Sequence, residues 1–347
     1  MEYCFDDILL LPRYSELESR KSPNISTKIG NIELGIPLIS SPMDTITEHE
    51  MAATMHKSGG LGILTRYVGK NTWDSVILQE YQLKKSISKH ISTPHNTLNI
   101  GIAIGLNDHR IIENLIGILD LKKNPNYSIE FVVCIDVAHA DHKKVHQVIR
   151  EINKIRKDNK FVLMVGNVCT YNATLSLADL GVDAIRVGIG SGSICSTRLV
   201  TGFGRPQLSA IQDCARVKKL YPNIAIISDG GCRRTDHVIK ALWAGADAVM
   251  LGYMFANSSA CPKINGERIY RGMSSHEASG RTDIASEGVR IPVKDKGNTG
   301  ELLQKYISGI KAGLAMAGAR NIEELRRCEF VHVSPLSIKE TNPYLEG

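Results

Sequence analysis

The run Gly188-Ile189-Gly190-Ser191-Gly192-Ser193-Ile194-Cys195-Ser196-Thr197-Arg198 sets a thiol among glycines and hydroxyls. Three of the five residues from 188 to 192 are glycine, which leaves backbone N–H and C=O groups uncovered for a ligand or a cation. Cys195 has a hydroxyl two residues on, at Thr197, and a guanidinium three on, at Arg198. A nearby cation favours the thiolate, so Cys195 is a candidate nucleophile. Most cysteines are small buried hydrophobes, and the residues alone leave that reading open as well. Asp229-Gly230-Gly231 and Gly252 offer a second chemistry. Loop amides can hold a phosphate while the carboxylate takes ribose hydroxyls, although an N-cap aspartate with turn glycines has the same spelling. Glu287, in Ala285-Ser286-Glu287-Gly288, is either an acid–base group on a lid or a solvated surface glutamate.

These residues share a context. Each candidate before residue 260 follows a short apolar, β-branched run stopped by Gly, Asp, Ser or Thr. The runs are Ile36–Ser40, Leu61–Leu64, Ile100–Ile104, Phe131–Ile135, Phe161–Val165, Ala184–Val187, Ile224–Ile227 and Ala246–Leu251. Near-continuous apolar character marks strands covered on both faces of a parallel sheet. Between them, Val145, Val148, Ile149 and Ile152 repeat at helical spacing, as do Val238, Ile239 and Leu242. Leu302, Leu303, Tyr306, Ile307, Ile310 and Leu314 make a last outer helix. Eight such units at about 30 residues each predict an α/β (β/α)8 TIM barrel. A doubly wound sheet is the rival, but its GxGxxG turn is missing from the first βα unit. Barrel enzymes work at the carboxyl ends of their strands, and those ends read Ser41-Pro42-Met43-Asp44, Thr65-Arg66, Gly105, Asp136, Gly166-Asn167, Gly188 to Thr197, Asp229-Gly230-Gly231 and Gly252.

Composition excludes several classes. With 347 residues, 43% hydrophobic and 22% charged, the chain can bury a sizeable core and is too apolar to be disordered. No apolar stretch approaches a membrane span, and the start, Met1-Glu2-Tyr3-Cys4-Phe5-Asp6-Asp7, is acidic rather than signal-like, which predicts a cytoplasmic protein without a membrane partner. The eight cysteines lie far apart without a CxxC, as reduced thiols do. A net charge of +6 is scattered and aromatics are 5%, so no nucleic-acid platform is expected. Without a linker or a repeat, residues 1–347 read as one barrel domain.

Five blocks carry a family resemblance. Phe5-Asp6-Asp7-Ile8-Leu9-Leu10, Ser41-Pro42-Met43-Asp44-Thr45, Gly166-Asn167-Val168, Gly190-Ser191-Gly192-Ser193-Ile194-Cys195-Ser196-Thr197 and Ser228-Asp229-Gly230-Gly231 resemble, in order and spacing, the IMP dehydrogenase/GMP reductase family. The resemblance implies a (β/α)8 barrel in which Cys195 attacks purine C2 and hydride passes between that carbon and a nicotinamide. It gives Thr197 and Glu287 a proton relay and places the nucleotide on Ser193, Asp229, Gly230, Gly231, Gly252, Tyr253, Gly272, Met273, Ser274, Ser286 and Gly288. It implies NADPH on Arg66, Asp136, Val137 and Ala138, with Ser19 and Arg20 reaching it from a neighbouring subunit. That arrangement needs a homo-oligomer, expected to be a tetramer. A potassium ion is implied on Gly190, Gly192, Cys195 and Arg198.

Within the family, Ser15–Arg20, Cys134–Ala138, the nucleotide loops and Asn342-Pro343-Tyr344 resemble the reductase, which turns GMP into IMP. The connection between strands two and three is too short for the regulatory (CBS) modules that most dehydrogenases insert there. Thr282 stands where the dehydrogenase's hydrolytic flap has a tyrosine after arginine. Ser40-Ser41-Pro42-Met43-Asp44-Thr45-Ile46-Thr47-Glu48 and Gly202-Phe203-Gly204-Arg205-Pro206-Gln207 are more like the dehydrogenase, Ser191 replaces the reductase's proline, Arg66 its lysine and Ile284 an arginine. The alternatives are an IMP dehydrogenase without regulatory modules and a silent purine-nucleotide sensor.

Overall fold

The structure, a computed structural model, describes residues 1–66, 97–106, 128–157, 160–264, 266–273, 288–334 and 337. After two short N-terminal strands and a third (β1, Ile8–Leu10; β2, Thr27–Ile29; β3, Ile32–Leu34), eight strands follow in chain order. These are β4 (Leu38–Ser40), β5 (Leu61–Leu64), β6 (Thr97–Ile104), β7 (Ser128–Asp136), β8 (Val162–Val168), β9 (Ala184–Val187), β10 (Ala225–Asp229) and β11 (Ala248–Leu251). Each pairs in parallel with the next, and β11 pairs with β4, so the sheet closes into a (β/α)8 barrel. All eight predicted runs are its strands, with ends shifted by a few residues.

Alternation along the strands divides the core in two. Ile39, Leu61, Ile63, Ala103, Val132, Cys134, Val162, Met164, Ala184, Ala225, Ile227, Ala248 and Met250 fill the barrel interior. The intervening residues, such as Leu38, Ile102, Val133, Leu163, Ile185 and Ile226, pack outward in a second cluster that includes helix residues. There Val145, Ile149 and Ile152 of α2 (Lys143–Arg156) and Val238 and Leu242 of α6 (Thr235–Trp243) are buried, as their spacing predicted. The other helices are α1 (His49–Lys57), α3 (Tyr171–Asp179), α4 (Thr197–Thr201), α5 (Gln207–Ala215), α7 (Thr299–Met316) and α8 (Ile322–Leu325). Residues 302–314 form most of α7, and Asn298 caps it by accepting the Gly300 and Glu301 amides.

The amino ends of the strands are a stability face. The β2–β3 hairpin sends Ile29, Ile32 and Leu34 into the interior cluster and covers that mouth. Asp183 and Asp247, one residue before β9 and β11, each accept an amide from the preceding strand, Leu163 at 2.7 Å and Ile226 at 2.8 Å. Arg156 and Lys218 neutralise them. The opposite end is left for chemistry. Two antiparallel additions serve it: β12 (Tyr270–Arg271) pairs with β13 (Arg290–Ile291), and β14 (Phe330–His332) pairs with β1. Among the described residues no helix is long and apolar enough to cross a membrane.

Candidate active site

An arginine organises the carboxyl end of the barrel. The inward alternation that buries Cys134 on β7 and Ala184 on β9 also turns Asp136 and Arg186 inward, and on β10 it turns Asp229 the same way. Arg186, 5% exposed, donates to Asp136 at 2.6 Å and to Asp229 at 2.7 and 3.1 Å, and lies 3.4 Å from the Cys134 thiol. Burial alone would pull the guanidinium down, but Asp229 and Asp136 outweigh it and hold Arg186 well above its ordinary pKa. Asn167 adds a 2.8 Å bond to the same Asp229 oxygen and another to the Gly188 carbonyl.

The cysteine loop is folded against this group. A Cβ on Gly188, whose φ is +150°, would stand 1.9 Å from the Asp229 carbonyl, so only glycine lets β9 turn there. Gln207, at the start of α5 and 2% exposed, donates to the Val187 and Asp229 carbonyls and ties the two strand ends together. The loop then closes on itself, the Cys195 amide donating to the Gly192 carbonyl at 3.1 Å. Cys195 Sγ donates to Thr197 Oγ1 at 3.1 Å. The Arg198 side chain is engaged elsewhere: it packs under Gly190 and Gly204 and donates to the Arg205 carbonyl, while its own carbonyl accepts the Gly202 amide.

The segment after Glu287 returns to the cysteine. Gly288 forms an antiparallel bridge with Cys195, and the Val289 amide donates to the Ile194 carbonyl at 3.1 Å. Gly272 and Gly288 lie back to back, where a Cβ on either would be under 3 Å from the other's Cα. Glu287 itself, with Ser274 and Ser286, lies outside the described residues. So do Thr282, Ile284 and Asn342-Pro343-Tyr344.

Two cavities meet at Cys195. One, of about 200 Å³, is lined by Ser41, Ser193, Gly231, Gly252, Tyr253 and Tyr270 among others. The second, of about 210 Å³, is lined by Arg66, Val137, Ala138, Asn167, Gly190 and Thr197. Asp136, Arg186, Gly192, Cys195, Asp229, Gly230 and Met273 line both. The structure therefore gathers Ser193, Asp229, Gly230, Gly231, Gly252, Tyr253, Gly272 and Met273 around the first cavity, and Arg66, Asp136, Val137 and Ala138 around the second. Ser19 and Arg20 are not brought to either. Their segment is exposed and runs beside α7, where Lys311 donates to the Lys21 carbonyl.

The chemistry of the linings differs. The first has hydroxyls, loop amides, two tyrosines and a carboxylate, a set suited to a phosphorylated sugar carrying a flat base. Burial pushes the Tyr270 phenol up, and Lys296 caps Tyr253, its ammonium donating to the Tyr253 carbonyl and lying 4.3 Å from the ring centroid. Loss of solvent pulls Lys296 down to about 8. In the second cavity a carboxylate and an arginine, Asp136 and Arg66, stand 3.8 Å apart beside apolar Val137 and Ala138. A carboxylate that can accept from hydroxyls, a guanidinium and an apolar wall fit the ribose and ring of a nicotinamide. The backbone carbonyls of Gly190, Gly192 and Cys195, the residues expected to hold potassium, are neutral oxygens, which suit a monovalent cation better than a divalent one that demands carboxylates.

Three working contacts were missed by motif reading. Arg186 is hidden inside an apolar strand. Asp44 and Arg271, 227 residues apart, form a buried ion pair that holds Met273 over the first cavity, the Asp44 amide donating to its sulfur at 3.4 Å. Burial raises the Asp44 carboxyl despite that partner. Arg233 donates to Ser193 Oγ at 3.4 Å.

Comparison with known proteins agrees with this geometry. A family model described as the IMP dehydrogenase / GMP reductase domain matches residues 2–344. Similar proteins include one named inosine-5'-monophosphate dehydrogenase from Nitrosopumilus maritimus, 29% identical over 466 aligned positions covering 98% of this chain and 97% of that one. A protein of the same name from Cryptosporidium parvum is 33% identical over 389 positions, covering 97% and 94%. A protein named GMP reductase from Buchnera aphidicola is 33% identical over 349 positions, covering 95% and 94%. The two relatives named as dehydrogenases differ widely in aligned length. The size of an insertion therefore does not separate the activities by itself.

Proposed function

The chain belongs to the IMP dehydrogenase / GMP reductase family, and within it we propose that it is a GMP reductase, converting GMP and NADPH to IMP, ammonia and NADP+. The observation that carries this reading is the spacing around Glu287. A dehydrogenase must hydrolyse its thioimidate with a flap bearing an Arg-Tyr pair, whereas here only six positions separate Arg281 from Glu287 and Thr282 follows the arginine. The near-colinear alignment with the Buchnera protein agrees with that.

In this reading the whole chain is one catalytic domain without regulatory modules. GMP occupies the first cavity, its phosphate on amides near Ser193, Gly231 and Gly252, its ribose on Asp229, and its base against Met273 and the loops of Gly272, Ser274, Ser286 and Gly288. Cys195 adds to purine C2, its proton passing toward Thr197. As the C2–amine bond breaks, Thr197 and Glu287 deliver the proton with which the amine departs as ammonia, leaving a thioimidate on Cys195. Bound NADPH supplies hydride to that carbon. The C2–S bond then breaks and Cys195 leaves as thiolate with IMP. Splitting one displacement into two steps lowers each barrier. Asp136, Val137, Ala138 and Arg66 hold the cofactor in the second cavity, and Arg186, by bridging Asp136 to Asp229, fixes the two subsites relative to each other. Ser19 and Arg20 reach the cofactor of a neighbouring copy in a cytoplasmic homotetramer. The carbonyls of Gly190, Gly192 and Cys195 would hold potassium, which would steady the loop, with Arg198 packed behind Gly190.

The second reading, an IMP dehydrogenase, draws on Gly202–Gln207 and on the names of the Nitrosopumilus and Cryptosporidium relatives. One assay separates them. The protein is mixed with GMP and NADPH, then with IMP and NAD+, and nicotinamide absorbance is followed. A fall in the first mixture is expected; turnover only in the second would replace the reductase with the dehydrogenase, and turnover in neither would leave a nucleotide sensor.

A further inference from the structure

Most arginines near the site are committed to carboxylates, and Arg198 is turned to the Arg205 carbonyl. Arg186 is held by Asp136 and Asp229, Arg271 by Asp44, Arg205 by Glu2 and Asp213, and Arg234 by Asp6 and Asp236. Arg233 pairs with no carboxylate among the described residues. Its neighbours place it at the nucleotide cavity. Gly231 and Cys232, just before it, line that cavity. Its Nε donates to Ser193 Oγ at 3.4 Å, so the guanidinium stands beside another of the lining residues. The backbone holds it there: the Arg233 amide donates to His237 Nδ1 at 3.3 Å, and His237 Nε2 lies 3.1 Å from Asp6.

The charged groups lining this cavity, Arg186, Asp136 and Asp229, bind one another and leave no cation free for a ligand. What remains at the end formed by Ser193 and Gly231 is amides, hydroxyls and one uncommitted guanidinium. A dianion is the ligand such an end takes, because a guanidinium matches two phosphate oxygens at once. We propose that Arg233 is a binding residue for the nucleotide 5'-phosphate and makes the site discriminate a nucleoside monophosphate from its nucleoside. This rests on the nucleotide reading of the first cavity, but not on which reaction the enzyme performs.

The test is equilibrium binding by calorimetry, with GMP, IMP, guanosine and inosine as probes, on the full-length protein and on Arg233→Gln and Arg233→Lys. Arg233 is exposed, so both variants are expected to melt within a degree or two of the parent. Loss of a charge-assisted contact predicts that Arg233→Gln weakens both monophosphates by roughly 10- to 100-fold and leaves both nucleosides within about twofold. Arg233→Lys should restore part of the loss, and the difference should shrink in high salt. Equal weakening of nucleotide and nucleoside, or a monophosphate affinity unchanged within twofold, overturns the proposal. If the enzyme instead turns over IMP with NAD+, the reductase reading falls while the loss of monophosphate affinity in Arg233→Gln persists.

Discussion

Arg186→Met removes the cation between two carboxylates that are each mostly buried, with side chains 16% and 13% exposed. At an effective dielectric of about 20, two unit charges about 4 Å apart attract by about 4 kcal/mol, and much of that is offset by the cost of desolvating them. Removing one member of a buried ion group is more damaging than the net worth of the group, because the remaining charges stay buried. For Arg186→Met the expected loss is about 3–5 kcal/mol. Equilibrium urea unfolding at neutral pH measures it from the shift in midpoint at constant slope. A second arm identifies the cause: adding Asp136→Asn and Asp229→Asn to Arg186→Met should recover at least about 2 kcal/mol, since neutral replacement of a buried ionic triad is close to harmless. A single-variant loss under about 1 kcal/mol, or a triple variant less stable than the single one, would refute the reasoning that Arg186 bridges the two subsites.

Other consequences can be checked separately. Gly188→Ala should cost about 3 kcal/mol or more, because its Cβ meets the Asp229 carbonyl, whereas Gly202→Ala, with φ +76° and nothing within 4 Å, should cost about 1 kcal/mol; urea midpoints compare them. His237 is pulled below 6.5 by burial, so the unfolded chain protonates first as the pH falls. The stability it contributes is present above about pH 6.5 and is lost as the pH drops through the lower folded value. Tm between pH 7.5 and 5.5 should therefore fall more steeply for the parent than for His237→Gln, and parallel curves would discount the effect. In thiol alkylation, Cys134 and Cys214, pushed up to about 12 by burial, should stay unmodified in the folded protein while exposed Cys4 and half-buried Cys195 react. Prior incubation with GMP should protect Cys195 alone, as peptide mass spectrometry would show.

The barrel was legible because parallel strands covered on both faces are written as apolar runs, and the eight runs from Ile36 to Leu251 are its strands. The strand-end glycines and Asp136 and Asp229 were legible for the same reason: polar residues that stop an apolar run must sit at a mouth. Arg186 was not read as a site residue, since Ala184-Ile185-Arg186-Val187 looks like any other strand. The signal was present in principle, because a lone arginine in a buried strand needs carboxylates and two aspartates end nearby strands. The β2–β3 hairpin was also missed, although Gly30-Asn31 between Ile29 and Ile32 is a two-residue turn signal. The Asp44–Arg271 pair has no local signature, for its partners meet only when β12 is laid over the end of β4. Ser19 and Arg20 belong to a different case, since nothing within one chain brings them to a cavity.

The central claim is that Cys195, where the two cavities meet, forms a bond to the purine that ends in loss of ammonia. Acid-quenching the enzyme during turnover of GMP with NADPH, then weighing the Cys195 peptide and assaying ammonia, tests it directly. The account predicts a nucleotide-sized mass increase on that peptide, one ammonia per NADPH consumed, and neither in Cys195→Ala. Ammonia release by Cys195→Ala at the parent rate, or turnover without any adduct on Cys195, would contradict it.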